Sequence, residues 1–299
     1  MRILVTAGLG LTGVAFQKLA ENNYSDHKFL FHTKNSGDLS DPIVFKTLLT
    51  DFNPDIVIHN ASKLHGSFAT SENIELCKKT NESIFNNLLN ELLPHQLVYS
   101  LSSYHVFMGS APFRILDPGL LNRDSSHAWE KSQQIKIAQF LPNVKFVVLP
   151  HLFGEYDNFS PGRAHFIANS IRRIVSAHEL QEPRIELLRS SNRILQFATA
   201  ASVAKFTLDT IFVNSDRETK YFLADIGWKR TCIDVFTSIC TNIGYEGVVI
   251  PVDSSTLTQE RDMYFSTNSR SDYFDELELQ TSLGLAITYF KRGEIGNDI

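Results

Sequence analysis

Thr6-Ala7-Gly8-Leu9-Gly10-Leu11-Thr12-Gly13 is the stretch that decides how this chain folds. It follows the apolar run Ile3-Leu4-Val5 and leads into residues 12–22, where apolar positions recur at helical spacing. A strand, a tight glycine turn and a helix are predicted in that order. Gly8-x-Gly10-x-x-Gly13 in this context has the pattern of a dinucleotide-binding turn. Glycines let the backbone bend sharply, approach a pyrophosphate and pack the helix on the sheet, while the helix N-terminus faces the phosphates. The chain holds only 15 glycines in 299 residues, so this cluster stands out. Gly8, Gly10, Leu11, Thr12 and Gly13 are therefore candidate cofactor contacts.

Outward from the turn, short apolar runs alternate with longer helical stretches. Phe29-Leu30-Phe31, Ile56-Val57-Ile58, Leu97-Val98-Tyr99 and Phe146-Val147-Val148-Leu149 read as strands, and residues 42–52, 72–93 and 125–141 as helices. Asp41-Pro42 has the form of an N-cap followed by proline in the first turn, and Pro54 closes that helix. This alternation predicts an α/β protein with a doubly wound parallel sheet, a Rossmann fold. After Pro150 the rhythm loosens: polar loops at 154–163, 189–193 and 253–262 separate helices near 164–178, 201–213, 231–243 and 281–292. The expected division is a dinucleotide-binding domain over 1–153, with 193–213 returning to it, and a smaller C-terminal α/β substrate domain over 154–299. Gly293 to Ile299 reads as a frayed tail.

Composition narrows the function. A net charge of −5, with basic residues no more clustered than Lys78-Lys79 or Arg172-Arg173, argues against a nucleic-acid partner. No apolar stretch is long enough to span a bilayer and no signal peptide precedes the first strand, so no membrane association is expected. Cys77, Cys232 and Cys240 are few and scattered, which fits a reducing, cytoplasmic setting. The histidines lack short metal-ligand spacing, so no metal is expected, and Ser103 lacks a Gly-x-Ser-x-Gly elbow. The second strand ends Phe31-His32-Thr33-Lys34, with no carboxylate to hold a ribose 2′-hydroxyl. His32 and Lys34 there favour NADP(H) over NAD(H) through the 2′-phosphate.

Further segments carry a family resemblance: Met1-Arg2-Ile3-Leu4-Val5-Thr6, Asp38-Leu39-Ser40-Asp41, Val57-Ile58-His59-Asn60-Ala61, Asn81 with Asn87, and Leu101-Ser102-Ser103. The most specific is Phe153-Gly154-Glu155-Tyr156-Asp157-Asn158-Phe159, followed by Pro161, His165 and Arg172-Arg173. Together they resemble extended short-chain dehydrogenase/reductases of the NAD-dependent epimerase/dehydratase family, specifically the GDP-L-fucose synthase type. Those enzymes are NADPH-dependent epimerase-reductases acting on GDP-4-keto-6-deoxy-mannose.

The resemblance implies that Asp38, with Leu39, meets the adenine, that Ala61 lies against the cofactor, and that Lys131 grips the nicotinamide ribose. It implies that Ser103 donates to the substrate's C4 oxygen, that His165 is an acid in epimerisation, and that Asn158, Arg172 and Arg193 hold a GDP-linked sugar. It also implies a homodimer through helices near 72–93 and 125–141. The departures are specific. Ala7 takes the place of the first glycine, and Tyr-x-x-x-Lys reads His127-Ala128-Trp129-Glu130-Lys131. His105 replaces the epimerising cysteine, His151 an asparagine, and the family's Arg-x-Phe with its Asp pair reads Leu195-Gln196-Phe197 and Ala201-Ser202.

His127 has a suitable acidity for the tyrosine's task but a shorter reach, and Lys131 beside it disfavours its protonated form. His105 has the basicity to replace a thiolate. Three readings stay open: an NADP-dependent nucleotide-sugar epimerase/reductase with rearranged acid/base groups, a catalytically silent relative that binds a dinucleotide or nucleotide-sugar and acts through a partner, and a scaffold in which the glycine turn is a relic.

Overall fold

The computed structural model describes residues 1–63, 71–109, 111–114, 116–122, 125–161, 163–213, 218–252, 261–266 and 276–293. Strands β1 (Arg2–Val5), β2 (Lys28–Phe31), β3 (Ile56–His59), β4 (Leu97–Ser103) and β5 (Val144–Leu149) form where the apolar runs predict them. With β9 (Tyr221–Leu223) they make one sheet in the order β2-β1-β3-β4-β5-β9. Every pairing in it is parallel. The central strands β3 and β5 are buried throughout, as parallel strands covered on both faces must be.

Period-two alternation sends side chains to the two faces. Ile3, Val5, Ile58, Tyr99, Leu101 and Val147 join one buried cluster, which includes Phe16 of α1 (Leu11–Asn23) and Leu208 of α6 (Ala200–Phe212). Leu4, Val57, Val98, Phe146 and Val148 join the other, with Phe45 of α2 (Pro42–Thr47), Phe85 of α3 (Ser71–Glu91) and Ile135 of α4 (Ser126–Ala138). From β1 the chain steps to β2 on one side and then crosses to β3 on the other. The strand order therefore reverses beside the glycine turn, where open α/β sheets form their ligand crevice.

The helix starts follow sequence logic. Asp41 Oδ1 accepts from the Ile43 N–H at 2.9 Å with Pro42 in the first turn, and Ser125 and Thr199 cap α4 and α6 in the same way. Residues 48–52, predicted to continue the second helix, form a π-turn, and Asn53 follows in the left-handed region before Pro54.

Beyond β5 the elements were less legible. β6 (His151–Phe153), β8 (Ile194–Thr199) and β10 (Trp228–Thr231) form a three-stranded sheet, and β7 (Arg184–Ser190) pairs with β11 (Val248–Val252). The polar loop expected over 189–193 shrinks accordingly, because Arg189 and Ser190 complete a strand. Helices α5 (Phe166–Glu179), α7 (Cys232–Ile243) and α8 (Glu276–Lys291) pack against one another and extend the larger core. Arg261 and Asp262, expected in a loop, begin a segment that bridges two others: Gln196 N–H donates to Met263 O at 2.9 Å, and Phe113 N–H to Tyr264 O at 2.9 Å. The tail expected over 293–299 lies, apart from Gly293, outside the described residues.

Candidate active site

The glycine turn is built as its spacing predicts. A Cβ at Gly13 would overlap the Ala7 carbonyl oxygen and stand 2.7 Å from the Gly8 carbonyl carbon, so only glycine lets α1 pack this close. A Cβ at Gly8 would meet Phe31 Cβ at 2.8 Å. Gly10 occupies the N-cap position of α1 with no side-chain cap, which leaves the first-turn N–H groups for an anion. Thr6 Oγ1 accepts from the N–H groups of Asn60 and Ala61, both at 2.9 Å, and so ties the ends of β1 and β3 across the crevice.

Ala7 carries the cost of its substitution. Its φ is +55°, a left-handed conformation that glycine adopts without strain and alanine does not. Ala7→Gly is expected to raise the unfolding free energy by about 1 kcal/mol. Urea denaturation of the two proteins checks this; an unchanged midpoint would mean that the turn is not strained.

The groups expected at the cofactor's adenosine end divide in character. Lys34 is exposed after β2, whereas His32 is only 3% exposed and its Nε2 has no hydrogen-bond partner among the described residues. Burial lowers the His32 pKa and holds the ring neutral, so its contribution is structural: its carbonyl accepts the Gly8 N–H at 2.7 Å. Lys34 is the exposed cation beside it. Asp38 accepts from Ser40 N–H at 2.9 Å and Ser40 Oγ–H at 2.7 Å, which keeps its carboxyl below the usual range. Asn87 Nδ2 donates to the Leu39 and Ser40 carbonyls and fastens this segment to α3. Leu39 and Ala61 are buried along the same edge.

Lys131 lies in α4, 6% exposed, with Nζ 3.7 Å from Glu130 Oε1. Burial lowers its pKa while the Glu130 carboxylate raises it. Glu130 is itself fixed by Ser62 Oγ–H at 3.0 Å and Asn81 Nδ2–H at 2.7 Å. The ammonium thus has a carboxylate partner.

The strand ends bring the histidines together. Ser103 ends β4, and its Oγ stands 2.9 Å from His105 Nδ1. The His105 ring meets the His127 ring edge-on with centroids 5.7 Å apart, and the His151 ring at 5.2 Å. His127 enters from the first turn of α4 and His151 from the start of β6, while exposed His165 sits at the N-cap position of α5. Burial, with Arg193, His165, Arg261 and Arg189 nearby, pushes the His105 pKa down to about 3; burial, with His105, Arg193, His165 and Arg189 nearby, lowers His151. His105 is therefore a neutral imidazole at physiological pH.

The sugar-binding candidates are more dispersed. Asn158 Oδ1 accepts from Ser160 N–H at 2.9 Å and orders its own loop, which Phe159 anchors against Tyr289 and Phe290 of α8. Beside it, buried Asp157 is pushed up to about 7 by desolvation. Arg172 Nη2 donates to Asn169 at 2.8 Å, while its Nε is buried and has no hydrogen-bond partner among the described residues. Arg193 Nε donates to the Arg261 carbonyl.

Sequence reasoning missed Glu130, Arg261 and the placement of His151 within the cluster. Glu130 lay inside the His127-to-Lys131 window, and its signal was a carboxylate adjoining a lysine expected to be buried. Arg261 had no signal, because its partners, the carbonyls of Phe107 and Gly109, are about 150 residues away in the chain. No group of three or more metal-ligating side chains is assembled among the described residues.

A reversing parallel sheet, a glycine turn at its crevice and a cluster of titratable side chains at the strand ends define a dinucleotide-binding protein of the doubly wound class. The chain belongs to the NAD dependent epimerase/dehydratase family, whose model matches residues 3–211. It is 22% identical to the GDP-L-colitose synthase of Yersinia pseudotuberculosis, covering 97% of this chain and 98% of that one. Its fold is shared with a GDP-L-fucose synthetase from Naegleria fowleri bound to NADP, with a TM-score of 0.82, 19% identity, and coverage of 100% of this chain and 95% of that one. It is shared also with a GDP-6-OMe-4-keto-L-xylo-heptose reductase from C. jejuni, with a TM-score of 0.77, 14% identity, and coverage of 98% of each chain.

Proposed function

We propose that this protein is an NADP(H)-dependent epimerase/reductase acting on a GDP-linked 4-keto-6-deoxy sugar. The observation that carries this reading is the convergence of Ser103, His105, His127 and His151 at the strand ends, beside a glycine turn. Relatives described as GDP-sugar synthases and reductases support it.

Gly8, Gly10, Leu11, Thr12 and Gly13 would hold the pyrophosphate, Lys34 the 2′-phosphate, Asp38, Leu39 and Ala61 the adenosine half, and Lys131 the nicotinamide ribose. The reduced dinucleotide, when bound, supplies hydride for a ketone carbon. Ser103 would donate a hydrogen bond to the ketone oxygen, His127 and His165 would exchange protons with the sugar, and Asn158, Arg172 and Arg193 would hold the GDP moiety. The buried, unsatisfied Arg172 Nε fits an anionic ligand. The chain would divide into a dinucleotide-binding unit over 1–153, with 193–213 returning to it, and a smaller substrate unit over 154–299. Pairing through α3 and α4 is supported by exposed Leu76, Ile137 and Phe140, the last 86% exposed. A cytoplasmic location is supported by three cysteines that are all free.

Titrating the purified protein with NADPH and NADH by fluorescence, then adding GDP-4-keto-6-deoxy-mannose, tests the proposal. NADPH should bind more tightly and be oxidised when the sugar is present. Binding of neither nucleotide sinks it. His127→Tyr is expected to raise kcat at least about tenfold, because a phenol restores the missing reach. Turnover seen only in that variant would mark the chain as a silent, nucleotide-binding relative.

A further inference from the structure

Reduction of a ketone needs a proton at oxygen, and position 127 no longer offers a phenol. The tyrosine packed against the histidine cluster, Tyr104, cannot stand in for it. It is fully buried, and its hydroxyl is directed at the Gln196 carbonyl, 3.5 Å away. The hydroxyl at the end of β4 is Ser103, whose Oγ accepts from the His105 backbone N–H at 3.4 Å and contacts His105 Nδ1 at 2.9 Å. The turn that carries His105 is itself pinned. Asn122 Nδ2 donates to the His105 carbonyl at 2.8 Å, and Arg261 Nη2 donates to the Phe107 carbonyl at 2.7 Å.

From this geometry we propose that His105 is a proton relay behind Ser103, and that Ser103 delivers the proton to the ketone oxygen during reduction. The inference rests on the reductase reading above. As the ketone carbon gains hydride from the reduced dinucleotide, the Ser103 Oγ–H bond breaks and an O–H bond forms on the sugar. The His105 Nδ1–H bond then breaks to restore the serine hydroxyl. One proton taken up from bulk solvent arrives through cleft water and bonds at Nε2, and exchange with that water returns the neutral ring to its Nδ1–H tautomer before the next turnover. The sugar ketone is reduced to an alcohol, the dinucleotide is oxidised, and no charge accumulates on the protein. A neutral ring is required for this exchange, and burial, with Arg193, His165, Arg261 and Arg189 around it, disfavours an imidazolium. His105 therefore serves the reduction through Ser103 and not as a base in place of the family's cysteine.

Two measurements on the full chain test the relay. In ligand-free protein, 15N NMR of the histidine rings at pH 6 should show His105 as a neutral imidazole whose Nδ1 signal moves in Ser103→Ala. An imidazolium, or a signal that Ser103→Ala leaves in place, overturns the relay. In turnover with NADPH and GDP-4-keto-6-deoxy-mannose, His105→Ala and His105→Asn should each lose about 100-fold in kcat with KM changed far less. NADPH binding should persist in both. Asparagine keeps a hydrogen bond to Ser103 but cannot pass a proton, so full turnover in His105→Asn overturns the relay and leaves the reductase reading standing. No NADPH oxidation by the wild type overturns both.

Discussion

Gly13→Ala is expected to abolish NADPH binding and to lower the unfolding free energy by about 3 kcal/mol. The added methyl would overlap the Ala7 carbonyl oxygen, and the Gly8 carbonyl carbon and oxygen would each lie 2.7 Å away. All three atoms are backbone, so no side chain can turn aside to make room. Relief has to come from moving the N-terminus of α1 off the turn, and that movement withdraws the first-turn N–H groups from any phosphate. Gly244→Ala supplies the control. Gly244 is also a left-handed glycine, at φ +78°, but a Cβ there meets nothing within 4 Å. It should cost about 1 kcal/mol and leave NADPH affinity unchanged. Thermal unfolding and fluorescence titration of the two variants decide the matter, and normal NADPH binding by Gly13→Ala would show that the turn does not hold the cofactor.

Ser103→Ala is expected to lower kcat by about 100-fold to 1000-fold, the range for losing a positioned proton donor. The stability cost should be small, about 1 kcal/mol, because the Oγ caps only the short turn Tyr104–Val106. NADPH affinity should not change, since Ser103 lies at the β4 end and not in the glycine turn. Ser103→Thr keeps the hydroxyl and should retain most of the activity. Stopped-flow NADPH oxidation separates chemistry from binding; wild-type rates in Ser103→Ala would remove the serine from the reaction.

The first half of the fold was legible because parallel strands buried on both faces are built around continuous apolar runs. Ile3-Leu4-Val5 and Phe146-Val147-Val148-Leu149 can occupy few other environments in an α/β fold. Asp41-Pro42 was legible for a local reason: the cap is made between residues two apart. Beyond β5 this breaks down. β7 alternates buried Ile185 and Leu187 with exposed neighbours, and its Arg189-Ser190 end looks like loop sequence. Its partner β11 lies far along the chain. Gln196 shows the same limit. Its side chain is fully buried in β8, donates to Asp225 at 2.9 Å and the Ile226 carbonyl at 2.8 Å, and accepts from Phe265 N–H at 2.7 Å. A residue that looked like decay of a motif in the sequence is a fully hydrogen-bonded tie between three segments.

What the sequence determined by itself was local and steric: a glycine turn between a strand and a helix, and the alternation that builds a doubly wound sheet. What only the tertiary structure decided was protonation and partnership. His32 and His105 are ordinary imidazoles as letters, yet burial lowers the pKa of the one, and burial among arginines makes the other a neutral partner of Ser103. Lys131 is a cation in the sequence and half of a buried pair in the fold. Desolvation and charge proximity depend on atoms brought together from strands β4 and β6 and helices α4 and α5, and no spacing along the chain encodes them.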